Sequence, residues 1–214
     1  YRRASFGMRP GDYIEAVEWT GDDVWHAHCA QLTAEEIRLF ARTGTGVAHC
    51  PCSNMRLASG IAPVRAMLDA GMKVGLGVDG SASSDSGHML NEARQTMLLQ
   101  RVNQGGNAMS AREALATATR GGASVLGRDD IGMLAPGMAA DIACFDRRSV
   151  DFAGSDWDML ASLLFCGPVK ASHTIINGRI VVAEGQLASM DMDRLLSNHR
   201  RMAHDLMVKA GHAS

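Results

Sequence analysis

The chain has 214 residues, 46% hydrophobic and 21% charged, with a formal net charge of −2. These values exclude the low-hydrophobicity, high-charge composition of disorder and leave no basic footprint for nucleic acid or an anionic membrane surface. No apolar run approaches the roughly 18–20 residues of a membrane span, and Tyr1-Arg2-Arg3-Ala4-Ser5-Phe6-Gly7 lacks the apolar stretch of a secretory signal.

Five cysteines, an odd number, suit free thiols in a reducing compartment, so a cytoplasmic location is expected. The 14 methionines read as adaptable core filler. The chain opens in a polar stretch without an initiator methionine, which leaves open a fragment, a processed product or the ordered remainder of something longer.

Residues 12–19 carry Tyr13, Ile14 and Val17 at helical spacing, and Thr20-Gly21-Asp22-Asp23 ends that helix. Val24 to Cys29 reads as a buried strand. Thr33 with Glu36 forms a capping box that opens a helix through Phe40 and Ala41. After Gly44-Thr45-Gly46, residues 47–50 form a second strand stopped by Pro51. Pro63 to Ala70 is helical with Gly71 at its end, and Val74 to Asp79 is a third strand. Helix, connection, apolar strand and polar tip thus recur, which predicts parallel pairing in an α/β layer or a segment of a (β/α)8 barrel. Met89 to Val102 is an amphipathic helix, and Ser110 with Glu113 caps another that runs to about Ala123. The texture then changes. Residues 132–137 are turn-rich, residues 141–146 form a short strand, and residues 174–182 form a hairpin around Asn177-Gly178, so a small antiparallel sheet is expected. Met192 to Lys209 is a charged amphipathic helix.

Active sites of parallel α/β folds gather at the C-terminal ends of strands. Three strands here end in potential chemistry: His26, His28 and Cys29; His49, Cys50 and Cys52; and Asp79, with Ser81, Ser83, Ser84 and Asp85 behind it. The alternation His26-Ala27-His28 puts both imidazoles on one side of a strand, which leaves open a shared metal or one satisfied buried histidine. Cys50-Pro51-Cys52 does not match zinc spacing and reads as small buried cysteines. Asn54 is expected to brace the loop after its strand. Asp79, an acid at the tip of a Gly/Val strand, is poorly explained by packing, because a buried carboxylate is costly unless paired or metal-bound. Asp85 and His88 read as solvated loop residues.

His26-Ala27-His28-Cys29, the run Val47 to Leu57, Gly60-Ile61-Ala62-Pro63-Val64 and Gly75-Leu76-Gly77-Val78-Asp79-Gly80 together resemble the amidohydrolase superfamily. The similarity is to the branch of atrazine-type chlorohydrolases, guanine and adenosine-analogue deaminases and 8-oxoguanine deaminases, with wording at residues 50–57 and 77–83 most similar to the last. Residues 132–141 and Asn177-Gly178-Arg179 are similar to that family's small β-sandwich.

The resemblance implies the C-terminal part of a metal-dependent (β/α)8 barrel, strands six to eight, over residues 1–130. It also implies part of a composite β-sandwich over 131–188 and a C-terminal helix over 189–214. It implies a hydrolytic deaminase of a purine-like ring, or alternatively a triazine amino- or chlorohydrolase, with a small-molecule substrate and a homo-oligomeric state. One divalent metal is implied, zinc in the first instance and iron as an alternative. Asp79 would be a metal ligand and proton acceptor, and His28 would polarise the substrate rather than bind metal. His49 and Asn54 would support the site, while Cys52 and Arg56 are candidates for ring recognition. The family's metal-binding H-x-H pair, a further metal histidine and a proton-shuttling glutamate have no counterpart in these residues. A catalytically inactive fragment or complementation partner is therefore the reading from another class.

Overall fold

The computed structural model describes residues 7–84, 86–167 and 169–212; Asp85 and the first six residues lie outside them. The chain divides into two compact units, residues 1–138 with 148–169, and residues 139–147 with 170–214.

In the first unit, β1 (Trp25–Ala27), β2 (Gly46–His49) and β3 (Val74–Leu76) form a parallel sheet in the order β1-β2-β3. The register pairs Ala27 with Ala48 and His49 with Leu76. A short helix α1 (Pro10–Ala16) precedes the sheet, and α2 (Ala34–Thr43) connects β1 to β2. Both arms of the expected capping box are present on α2: the Glu36 amide donates to Thr33 Oγ1 at 3.3 Å, and the Thr33 amide to Glu36 Oε2 at 2.7 Å. Gly44 ends the helix in the left-handed region, at φ 76°. Pro51 stops β2 and also starts α3 (Pro51–Arg56), where its fixed φ and missing amide suit the first helical turn. A further helix, α4 (Val64–Asp69), leads back to β3.

The long helix α5 (Met89–Gln104) is followed by α6 (Ala111–Ala116), a π-helical turn over Thr117–Gly121, and α7 (Gly122–Val125). Sequence periodicity predicts one uninterrupted helix here. The π turn lies where the helix closes on the sheet: a Cβ on Gly121 would lie 2.1 Å from the Val74 carbonyl oxygen, and one on Gly75 would lie 2.9 Å from Gly122 Cα. Backbone touches backbone, and no side chain fits between. Phe40, Val47, Val64, Met67, Met97 and Met109 are fully enclosed in the core of this unit. Full burial of such side chains stabilises by about 1.5–3 kcal/mol each.

Residues 148–169, which the sequence reading places within the sandwich range, cluster with this first unit. Their helix α8 (Met159–Phe165) buries Leu164 in the same core, and the Leu164 carbonyl accepts from Arg94.

In the second unit, β4 (Ile142–Cys144), β5 (His173–Ile176), β6 (Arg179–Ala183) and β7 (Gln186–Leu187) form an antiparallel sheet in that order. Asn177 and Gly178 turn the β5–β6 hairpin with φ of 46° and 76°, the two positive values that a tight primed turn requires. The Asp141 carboxylate accepts from the Asn177 amide at 2.7 Å. Helix α9 (Met192–Lys209), capped by Asp191, is amphipathic and buries no residue. No helix among the described residues is long and apolar enough to cross a membrane.

Candidate active site

The site lies where the first unit's strands end. Beyond β1 the His28 amide donates to the Ala48 carbonyl at 3.0 Å, which extends the ladder by one rung. The chain then turns through His28 and Cys29, both left-handed at φ 66° and 50°. Beyond β3 the Gly77 amide donates to the His49 carbonyl at 2.9 Å, and Asp79 is left-handed at φ 60°. Helix α3 stands between these two tips and offers a side chain to each. Asn54 Oδ1 lies 2.9 Å from His28 Nδ1, and Ser53 Oγ donates to Asp79 Oδ2 at 2.5 Å. His28 Nε2 then faces Asp79 Oδ2 at 3.7 Å.

Asp79 is surrounded by donors. Ser83 Oγ adds a second hydrogen bond to Oδ2 at 2.8 Å, and the Gly80 amide donates to Oδ1 at 2.8 Å. The Ser53 hydroxyl, then those of Ser83 and the Gly80 amide, hold its carboxyl down at about 2, because each bond favours the anion. Asp79 is therefore a fixed negative charge at neutral pH, and its side chain keeps 30% of its exposure.

His49 occupies the tip of β2, fully buried, with neither ring nitrogen hydrogen-bonded. Burial, and secondarily the charge of His28, push its imidazole down to about 4, so it is neutral over the working range. His26 separates from His28 because the left-handed turn takes His28 out of the strand's alternation. The His26 ring lies 5.4 Å from that of Phe40, and its Nε2 is 3.1 Å from the Trp19 carbonyl oxygen. Burial raises the Cys29 thiol to about 12 and that of Cys50 to about 11. Both are thiols rather than the thiolates that ligate metals.

Among the described residues no three His, Cys, Asp or Glu side chains gather as a metal-binding group. Asp79, ionised and half-exposed, fits the role of a single ligand. Cys52 Sγ accepts from Asn91 Nδ2 at 3.4 Å, and Arg56 is exposed at the end of α3. His88 is half-buried, with a buried Nδ1 lacking a hydrogen-bond partner, so it departs from the solvated reading. Sequence reasoning also misses Ser53 as an Asp79 donor and Glu92 altogether. Glu92 is a fully buried acid on α5, on the same buried face as Ala93, Thr96, Met97 and Gln100.

A cleft of about 680 Å³ opens beside the β1 tip, walled by Tyr13, Ile14, Trp19, His26, His28 and Phe40. His28 thus faces Asp79 on one side and lines this largely apolar space on the other.

A three-stranded parallel α/β sheet thus carries a histidine and an aspartate at its strand tips, bridged by α3. The chain belongs to the amidohydrolase family, whose model matches residues 1–181. It is 46% identical over 203 residues to the 8-oxoguanine deaminase of Pseudomonas aeruginosa, covering 95% of this chain and 45% of that protein. It is 39% identical to a 5-methylthioadenosine/S-adenosylhomocysteine deaminase of Pelotomaculum thermopropionicum, covering 94% and 47%. Among solved structures it superposes on the zinc complex of atrazine chlorohydrolase TrzN from Arthrobacter aurescens TC1 with a TM-score of 0.85 at 37% identity, covering 92% and 44%. The chain spans about half the length of the relatives it matches.

Proposed function

We propose that this chain carries the His28–Asp79 half of a metal-dependent deaminase that releases ammonia from a purine-like ring of the 8-oxoguanine or guanine type. The observation that carries the reading is the approach of His28 Nε2 to a carboxylate held anionic at the strand tip, 3.7 Å away. The similarity to purine deaminases supports the ring class. In this reading the three strands are strands six to eight of the barrel.

Asp79 would hold a divalent metal, zinc as in the solved relative. Such an ion supplies Lewis-acid activation of water. Asn54 orients the His28 ring through Nδ1, so that Nε2 points toward the substrate and polarises the ring atom next to the reacting carbon. Asp79 takes a proton from the water that adds to that carbon and passes it to the exocyclic nitrogen, which then leaves as ammonia. Ser53 and Ser83 keep the carboxylate aimed throughout.

The test is ammonia release by the zinc-loaded full-length protein on 8-oxoguanine, guanine and hydroxytriazines, with His28→Gln and Asp79→Asn as controls. Turnover of a purine, lost in both variants, is expected. Release from triazines alone would move the assignment to a triazine hydrolase, which the atrazine chlorohydrolase superposition favours.

A second reading rests on the absence of a three-ligand group among the described residues. The 214-residue chain by itself would then bind zinc weakly, turn nothing over and act with a complementing half. Stoichiometric tight zinc in the isolated chain would sink that reading.

A further inference from the structure

Glu92 is fully buried in the first turn of α5, and its carboxyl group is shared between the first turn of α3 and the loop after β3. Oε2 accepts from the Cys52 amide at 3.1 Å, and Oε1 accepts from Ser84 Oγ at 3.2 Å. Each contact lies one residue from a hydroxyl that grips Asp79. Cys52 precedes Ser53, which donates to Asp79 Oδ2 at 2.5 Å, and Ser84 follows Ser83, which donates to the same oxygen at 2.8 Å. Asp79 and Glu92 therefore both bridge the first turn of α3 and the loop after β3. The next residue on α3, Asn54, carries the contact to His28.

We infer that Glu92 is a positioning residue: by fixing the Cys52 amide and the Ser84 hydroxyl, it sets Ser53 and Ser83 where they aim the Asp79 carboxylate. A buried acid is costly unless its oxygens are hydrogen-bonded, and Glu92 uses one on the first turn of α3 and the other on the loop after β3. Among the described residues the side chain hydrogen-bonds to neither His28 nor Asp79. Its effect reaches them only through the two serines and Asn54.

The inference rests on the proposed reading only for its kinetic arm. The structural arm reads the Gly80 amide proton, which donates to Asp79 Oδ1 at 2.8 Å and so reports the orientation of the carboxylate. In the full protein, Glu92→Leu should move this resonance upfield and Ser84→Ala should move it part of the way. Glu92→Gln should restore the native position, since its amide can accept from Cys52 and donate to Ser84. In ammonia release, Glu92→Leu should lower kcat about 10- to 100-fold with KM within about 2-fold, the size of effect expected from a misplacement near 1 Å. A Gly80 resonance at its native position in both Glu92→Leu and Ser84→Ala, with only thermal stability lowered, would show a purely structural role and overturn the inference. If Glu92→Leu does not fold, Ser84→Ala compared with Glu92→Gln decides. An unchanged kcat beside a shifted Gly80 would overturn the catalytic consequence. Failure of the native protein to release ammonia from any purine would count against the proposed function, while the Gly80 measurement would still decide the positioning.

Discussion

Lowering the pH from 7 to 4 should unfold this protein partly through one buried ring. His49 is pushed from 6.5 down to about 4, by burial first and by the charge of His28 second. Between those values the unfolded chain binds a proton that the folded one refuses, so His49's contribution is complete above pH 6.5 and is lost as the pH falls toward 4. At about 1.4 kcal/mol per pH unit, the 2.5 units between 6.5 and about 4 amount to ~3 kcal/mol. That is a large share of the ~5–15 kcal/mol typical of a domain. Urea denaturation at half-unit steps from pH 7.5 to 4 measures it. His49→Leu, similar in volume, removes the titrating group and two ring nitrogens that have no hydrogen-bond partner. The variant should match or exceed the native protein at pH 7 and exceed it clearly at pH 4.5. Native protein and variant losing stability in parallel over that range would refute the reasoning, because some other group would then supply the slope.

Two neighbouring glycines should respond in opposite directions to the same change. Gly122→Ala meets nothing within 4 Å and should stabilise by up to about 1 kcal/mol through helix propensity. Gly121→Ala puts its methyl group 2.1 Å from the Val74 carbonyl oxygen, and this overpacking against backbone should cost about 1–3 kcal/mol; the midpoint of urea unfolding reads both. Ser53→Ala removes the largest influence holding the Asp79 carboxyl at about 2, so its titration, followed by carboxyl-carbon NMR, should move upward. Asp79's contribution to stability is complete above the ordinary 3.8 and is lost as the pH falls through about 2, and in Ser53→Ala that window should narrow from below.

What the sequence shows of this molecule is what is decided locally. The capping boxes of α2 and α6 depend on residues three apart, and both form as the spacing predicts. Asn177-Gly178 specifies its own turn. Strand-tip chemistry is legible at Asp79 because a carboxylate after Val-Gly-Leu-Gly-Val has no packing role. Helix α3 is hidden because Pro51 both ends a strand and begins a helix. Glu92 is hidden because one acid in a polar-looking helix is indistinguishable from a solvated one until Cys52, 40 residues away, is brought against it. The pairing of His28 with Asn54 across 26 residues is likewise a product of the fold. Spacing alone groups His28 with His26, whereas its backbone conformation directs it to Asn54 and Asp79.

That backbone conformation has an evolutionary consequence. His28, Cys29 and Asp79 occupy a region that glycine enters freely and that costs a residue bearing a Cβ about 1 kcal/mol or more. A library screened only for thermal stability should therefore drift toward His28→Gly, gaining backbone relief and losing the imidazole. One screened for turnover should hold the histidine against that pull. If His28 acts as proposed, selection for a sturdier fold and selection for turnover favour different residues at the end of β1.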